Sequence, residues 1–437
     1  MKNHNITYDY KKFFEKLFYA LLITLIFVPI LQIPIYYISN FDWYLNYNLF
    51  IASIAQISLI CLIIFILYNT YKDKKFIFNC IKNNKSLIFL TLFLICVFIS
   101  SILSKDLSLA FHGSDYRHEG FFMYIYYTVF FLISLSIKDY KKKINLAKII
   151  SICATLISIM VIYQYINPFN GRYVSTNLTG VFFHFNHLGY YFSISTIVTS
   201  VLIVINNDTK KSIFYSILMT IQVSALVIND TFGAYLAILI SLFLLILIFK
   251  LNKDFINTCK SNFIIFIPIL IFIVVTVFFN ILGIGHFIDN FSSLFSDINS
   301  LFSKIFGFNT SSYKKNEEST GTARIELWKA AIKFSLNNPI LGSGLEQLAP
   351  YYKDLGFIQT KPANEYIYIL ASSGFPAFIF YITWLVKILA SKLKKLTQLS
   401  NIELLGFLCS LSYLISAFFG NSTFYITPYF LMFLAFI

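Results

Sequence analysis

The feature that most constrains this chain is a repeated pattern of apolar runs, each about 20 residues long, separated by short polar segments. A run of that length crosses the hydrocarbon core of a bilayer as a helix. The runs are continuous rather than alternating, which argues against a transmembrane β-barrel. Composition agrees. The 437 residues are 58% apolar and 12% charged, about half the charged fraction of a soluble domain. Mean hydropathy is +0.72. Such a chain is not a cytosolic enzyme, a secreted disulfide scaffold or a disordered polymer. The expectation is an all-α polytopic membrane protein with about 12 transmembrane helices.

The spans are expected near 17–38, 47–70, 86–104, 119–137, 147–166, 187–206, 212–229, 231–249, 262–284, 364–388, 403–419 and 424–437. The first is too long for a cleavable signal and reads as a signal anchor. Three regions follow: helices 1–9 over 1–284, a long extracytoplasmic loop with a motif helix over 285–363, and helices 10–12 over 364–437. A loop of that length is more than a connector. Lysine sets the orientation. Segments 1–16, 70–85, 138–148, 207–211, 250–260 and 387–396 hold 23 of the 31 lysines, whereas the short loops between them hold only Lys105. Basic loops stay cytoplasmic, so both termini are expected inside. The net charge of +14 then reflects orientation rather than nucleic-acid binding. None of the six cysteines falls in an expected outer loop, so no disulfide is expected, and their spacings match no metal site.

Arginine departs from the lysine pattern. The chain has only Arg117, Arg172 and Arg324, and all three fall on the expected outer side. A guanidinium donates two parallel hydrogen bonds to a phosphate or carboxylate, which an ammonium does not. Three outer arginines point to an anion held at the membrane surface, with a lipid diphosphate as the first candidate. The plainer alternative is pairing with acids such as Asp115, Glu119 or Glu326, or with lipid headgroups.

Five of the six histidines are also expected outside. His112-Gly-Ser-Asp-Tyr-Arg-His-Glu-Gly120 precedes span 4, and His184-Phe-Asn-His187 opens span 6. Asn229-Asp230-Thr231-Phe232-Gly233 makes the outer turn between spans 7 and 8. Polar groups at span ends are functional candidates, set against simple helix capping. His184 and His187 have a spacing that suits metal, but no third ligand is apparent. In the long loop, Ser319 to Ala331 reads as the start of an amphipathic helix, capped by Thr322 or Ser319. Its apolar stripe is Ile325, Trp328, Ala331 and Ile332. Arg324 lies in the first turn, where a bound anion would offset its repulsion by the helix dipole. Asn337-Asn338-Pro339 ends the helix, and Gly342-Ser-Gly344 makes a tight turn.

Taken in order, these segments resemble the O-antigen ligase family. The strongest match is Gly321-Thr-Ala-Arg324-Ile-Glu-Leu-Trp328 with Pro339-Ile-Leu-Gly342-Ser-Gly344, then Asn364-Glu-Tyr366 and Gly374. Weaker matches surround Arg117, Asn186 and Thr231-Phe-Gly233, with Phe419-Gly-Asn-Ser-Thr and Thr427-Pro428 near the end. The resemblance implies a membrane glycosyltransferase, a ligase or polymerase of surface polysaccharide. It would move a glycan from a polyprenyl-diphosphate carrier to an acceptor hydroxyl on a glycan, lipid or protein. Transfer would occur at the outer face of the cytoplasmic membrane, with inversion and without a metal or other cofactor. Arg324, then Arg117, carry over as the diphosphate-binding residues, and Arg172 is grouped with them as the third outer arginine. Asp230, Asn186, Trp328, Asn364 and Tyr366 are expected around the substrate cavity.

One position departs from the family. Many relatives have a histidine, proposed as the base, where this chain has Ala363. Three readings are open. Another outer residue serves as base, from Glu365, His187 and His184, with Asp230 behind them. The family's histidine orients the acceptor and its loss is tolerated. Or the chain is a non-catalytic relative that binds lipid-linked glycan. A transporter of lipid-linked sugars is the competing class, and the absence of charge deep in any span counts against ion coupling.

Overall fold

Each of the twelve apolar runs contains a helix. A computed structural model describes residues 2–38, 43–115, 117–167, 178–206, 208–251, 263–287 and 321–437. Its long helices are α1 (Lys2–Ile38), α2 (Trp43–Lys72), α4 (Ser86–Ile102), α6 (Phe121–Ser136), α7 (Tyr140–Ile166), α8 (Phe185–Ile205), α9 (Thr209–Asn229), α10 (Phe232–Leu251) and α11 (Ile267–Ile281). After these come α12 (Gly321–Asn337), α14 (Glu365–Leu393), α15 (Asn401–Ser416) and the short α16 (Thr427–Leu434). Shorter connectors are α3 (Phe76–Asn83), α5 (Leu107–His112) and α13 (Ala349–Asp354). No strand occurs among the described residues.

The helices begin where the sequence supplies caps. Asp106, Asp139, Asp208 and Asn364 each accept a backbone N–H from the first turn of α5, α7, α9 and α14. Ser400 and Glu403 form a reciprocal capping box on α15.

Length qualifies the count of spans. Eight of the described helices are long and apolar enough to cross a membrane, or nine if α3 and α4, bent by 102°, are one broken span. The helices α6 and α15 have 16 residues each, or about 24 Å at 1.5 Å per residue. The expected last span is α16 of only eight residues, and all eight are buried. It packs against α6 and α15 as part of the protein interior.

α8 is the central helix. Every residue from Leu188 to Val204 is buried, and α7, α9, α10 and α15 surround it. A polar network ties it to its neighbours. Gln222 donates to Ser151 O and Thr155 Oγ1, each at 3.0 Å, and accepts from Thr199 at 3.2 Å. With water excluded, such hydrogen bonds and close packing hold helices together. By contrast only 28% of the apolar stretch of α2 and 22% of that containing α11 is buried, as in lipid-facing helices.

The two ends of the bundle differ in charge. At one end Glu15 accepts Asp139 N–H at 3.1 Å and pairs with Lys142 at 3.2 Å. Lys392 pairs with Glu403 nearby. The lysine-rich segments 1–16, 138–148 and 387–396 therefore meet. The opposite end carries the loops ahead of α6, α8 and α14 and the segment after α15.

The long helix α14 is broken at Gly374, where φ is +81°. The groups freed by the break find partners in the Pro339–Gly344 loop. Phe375 N–H donates to Pro339 O, Ser343 N–H to Ala371 O and Gly344 N–H to Ser372 O, all within 2.8–3.0 Å. Ser100 Oγ from α4 lies within reach of Leu341 O at 2.6 Å and Ser372 O at 2.9 Å. The paired glycine turn thus serves as the complement of a broken membrane helix.

Candidate functional site: a polar cavity at the lysine-poor end

Four segments converge on one cavity of about 240 Å³. The first is the loop before α6. A Cβ on Gly113 would lie 2.3 Å from Glu119 N, and one on Gly120 only 2.5 Å from Gly113 N. Glycine at both ends closes this loop and presents Arg117 and Glu119 to the cavity. The loop spans 113–120, and α6 starts at Phe121, so Glu119 stands ahead of the helix rather than at the start of a span.

The second segment is the start of α8. His184 caps it, accepting Asn186 N–H on Nδ1 at 3.1 Å. Asn229 donates to Leu178 O at 2.7 Å and to Phe185 O at 3.0 Å, and Thr231 supports Asn229 at 2.6 Å. This outer turn therefore fixes the helix end that carries His184, Asn186 and His187, all of which line the cavity.

The third segment is 359–363. Arg117 donates to Thr360 Oγ1, and Trp328 Nε1 donates to Pro362 O at 2.8 Å. Lys361 forms a buried ion pair with Glu346, with both side chains 4% exposed, and its ammonium lies 4.6 Å from the Tyr368 ring centre. Ala363, at φ +50°, lines the wall. The fourth segment is 419–425, in which Phe424 N–H donates to Glu119 Oε1 at 2.7 Å.

The electrostatics follow from this convergence. Burial, then the charges of Arg117 and Arg324, lower the His184 pKa to about 4. Arg324, half-buried in the first turn of α12, is thus close enough to act on the cavity although it is outside its lining. Burial raises the Glu119 pKa to about 8, against the opposing pull of Lys361 and of the Tyr127 hydroxyl. Glu119 Oε1 accepts from Tyr127 at 2.7 Å, while Oε2 is buried without a hydrogen-bond partner. His187 Nδ1, Asn421 Oδ1, Tyr190 OH and Thr423 Oγ1 are in the same state. Buried polar atoms are usually satisfied, and a cluster of exceptions around one cavity marks a place for a polar ligand.

The expected site residues divide. Arg117, His184, His187 and Asn186 line the cavity. Glu365 does not. Its carboxylate is outside the lining, accepting Tyr381 OH at 2.5 Å and Tyr413 OH at 2.6 Å. Asn364 caps α14 and donates to Phe418 O at 3.1 Å, and Tyr366 donates to Leu414 O at 2.7 Å. Asp230 makes the left-handed turn after α9 and binds His286 at 2.9 Å. Trp328 braces Pro362 from outside the lining. Arg172 lies outside the described residues, as does Ser319. Thr322 is the second residue of α12, so it is not the residue preceding the helix. The buried face of α12 is Leu327, Ala330, Ala331 and Ser335, whereas Ile332 is 41% exposed. That face follows the i, i+4, i+8 row, on which Tyr352 OH also reaches Leu327 O at 3.2 Å. No group of three metal-binding side chains occurs among the described residues.

Sequence reasoning missed Lys361, Thr360, Glu119 as a cavity group and the stretch 419–425. The last carried a signal, because Phe419-Gly-Asn-Ser-Thr lies within the family resemblance.

Fold and site together define a multi-pass helical membrane protein with a cationic, polar cavity at one end. Residues 214–382 match the family model described as O-antigen ligase, which supports the O-antigen ligase family for this chain. The matched stretch runs from α9 into α14 and includes Arg324, Trp328, Lys361 and Ala363. No curated protein matches the chain. The match points to a membrane glycosyltransferase type of function.

Proposed function

We propose that this protein transfers a glycan from a polyprenyl-diphosphate carrier to an acceptor hydroxyl, with inversion at the anomeric carbon and without a metal. The cavity would face outward from the cytoplasmic membrane, with both termini and the lysine-rich end inside. The observation that carries this reading is Arg117 in the cavity lining, with Arg324 within electrostatic reach of His184, these being two of only three arginines. Most lysines fit a topological role, whereas arginine offers a planar phosphate clamp that lysine does not.

The chemistry is simple in outline. A lipid diphosphate is a good leaving group whose departing charge needs fixed cations. Arg117 and Arg324 would hold it, with Lys361 adding charge from the cavity wall. The acceptor hydroxyl needs one base, which is sought among the lining residues Glu119, His184 and His187. Glu365 is held by two tyrosines away from the lining.

A second reading has one specific observation in its favour. Ala363 lines the cavity where relatives carry a histidine, as a non-catalytic binder of lipid-linked glycan would allow. Transfer by purified protein in proteoliposomes separates the two. Under the transferase reading, Arg117→Lys and Arg324→Lys each cut transfer by about 100-fold, the scale of one lost transition-state contact. Transfer that survives both changes would contradict the diphosphate clamp. Donor binding without transfer by wild type would favour the binder.

A further inference from the structure

We infer that Glu119 is the general base that accepts the proton of the acceptor hydroxyl, in place of the histidine absent at Ala363. The inference rests on the glycosyl-transfer reading above.

Glu119 comes from the same loop as Arg117 and lines the same cavity. Two donors from different elements fix its Oε1: Tyr127 OH on α6 and Phe424 N–H after α15, each at 2.7 Å. Its Oε2 is buried and has no hydrogen-bond partner. A carboxylate on a cavity-lining residue, anchored through one oxygen and with the other unsatisfied, has the form of a positioned proton acceptor.

The other candidates are less suited. Glu365 has both oxygens engaged by tyrosine hydroxyls and is outside the cavity lining. His184 already accepts Asn186 N–H on Nδ1, and burial, then the charges of Arg117 and Arg324, oppose its protonation. His187 has an unsatisfied Nδ1, but a proton gained there would add positive charge beside Arg117 and Lys361. A proton gained by Glu119 instead removes a buried negative charge.

In the reacting step the acceptor O–H bond breaks and its proton passes to Glu119 Oε2. The acceptor oxygen forms a bond to the anomeric carbon. The bond from that carbon to the diphosphate oxygen breaks, and the electron pair leaves with the diphosphate, held by Arg117 and Arg324. No oxidant or further reactant is needed.

The environment sets the working pH. Besides burial, Lys361, the Tyr127 hydroxyl, Glu346 and the Phe424 N–H act on Glu119, and Tyr124, Tyr368 and Tyr413 lie within its electrostatic reach. Burial dominates and places the pKa at about 8. The base form therefore grows as pH rises through 8, so transfer should rise with pH.

The test measures transfer of native lipid-linked glycan in proteoliposomes from pH 6 to about 9.5, a range that brackets the shifted carboxyl. Polyprenyl diphosphate without glycan serves as the binding probe. Wild type should gain about tenfold in rate from pH 7 to pH 9 and then level. Glu119→Gln should lose about 100-fold or more and the pH limb with it, with probe binding intact. Glu119→Asp should transfer measurably and keep a limb, which decides the matter if the glutamine variant is misfolded and binds no probe. Glu119→Gln activity within about threefold of wild type, on the same limb, would overturn the inference. So would a limb lost in His187→Gln but kept in Glu119→Gln. If wild type binds no probe and transfers nothing at any pH, the underlying glycosyl-transfer reading fails instead, and the inference falls with it.

Discussion

Trp328 donates its indole N–H to the carbonyl of Pro362 at 2.8 Å, joining the loop helix α12 to the segment that enters α14. The bond spans 34 residues of sequence and braces the stretch from which Lys361 and Ala363 reach the cavity wall. Trp328→Phe keeps most of the ring and loses the donor. It should destabilise the brace by about 1–3 kcal/mol, since a part-buried carbonyl is left unpaired. Transfer should fall more than overall unfolding temperature does, because the damage is local to the cavity. Equal loss of both would point to a general packing role.

The ion pair between Lys361 and Glu346 is almost wholly buried. Removing one partner leaves an uncompensated charge, at a cost of about 3–5 kcal/mol. Lys361→Met should therefore lower thermal stability in detergent more than the double change Lys361→Met with Glu346→Gln. A double variant less stable than the single would mean that the charges do not depend on each other.

Gly374 breaks α14 at φ +81° and ψ 172°, a conformation open almost only to glycine. A Cβ there would lie 2.2 Å from Ile340 O, a backbone atom. Gly374→Ala should cost several kcal/mol, beginning with about 1–3 for the backbone conformation. The readout is the yield and melting temperature of the folded protein. Near-native stability would show that the Pro339–Gly344 loop is not held by the break.

Ala363 already has the left-handed φ of +50°, which histidine tolerates better than most residues. Restoring the histidine in a Glu119→Gln background should recover part of the transfer. The pH limb should move down from about 8 to below the ordinary histidine value of about 6.5, because burial and then the charges of Arg117 and Arg324 already lower His184 in the same cavity. Recovery with the limb still near 8 would locate the titrating base elsewhere.

Much of the bundle was legible because apolar runs and lysine-rich loops obey simple rules. A run such as 187–206 has few alternatives to a helix, and it became α8. Helix lengths were less legible. The terminal run 424–437 reads as a span, yet only eight of its residues form the buried helix α16, since apolar character does not distinguish lipid from protein surroundings. Arg117, Asn186 and the two histidines, which line the cavity, are conspicuous in the sequence because polar groups at span ends stand out against an apolar background. Lys361 was not found, because it is one of 31 lysines and its burial with Glu346 is a tertiary fact. In the sequence Glu119 stands out only as one of several acids that could pair with an arginine, whereas Tyr127 and Phe424 hold it in the fold. The surroundings of Glu365 were equally hidden. It lies in a family motif, but its tyrosine partners come from 16 and 48 residues away.

The most direct test of the central claim is transfer in proteoliposomes by wild type and Arg324→Ala, each with and without EDTA. The native polyprenyl-diphosphate glycan is the donor. The account predicts EDTA-resistant transfer by wild type and a loss of about 100-fold or more in the variant, with membrane insertion unchanged. Undiminished transfer by Arg324→Ala would contradict a diphosphate clamp built on that arginine, and transfer abolished by EDTA would contradict a metal-independent reaction.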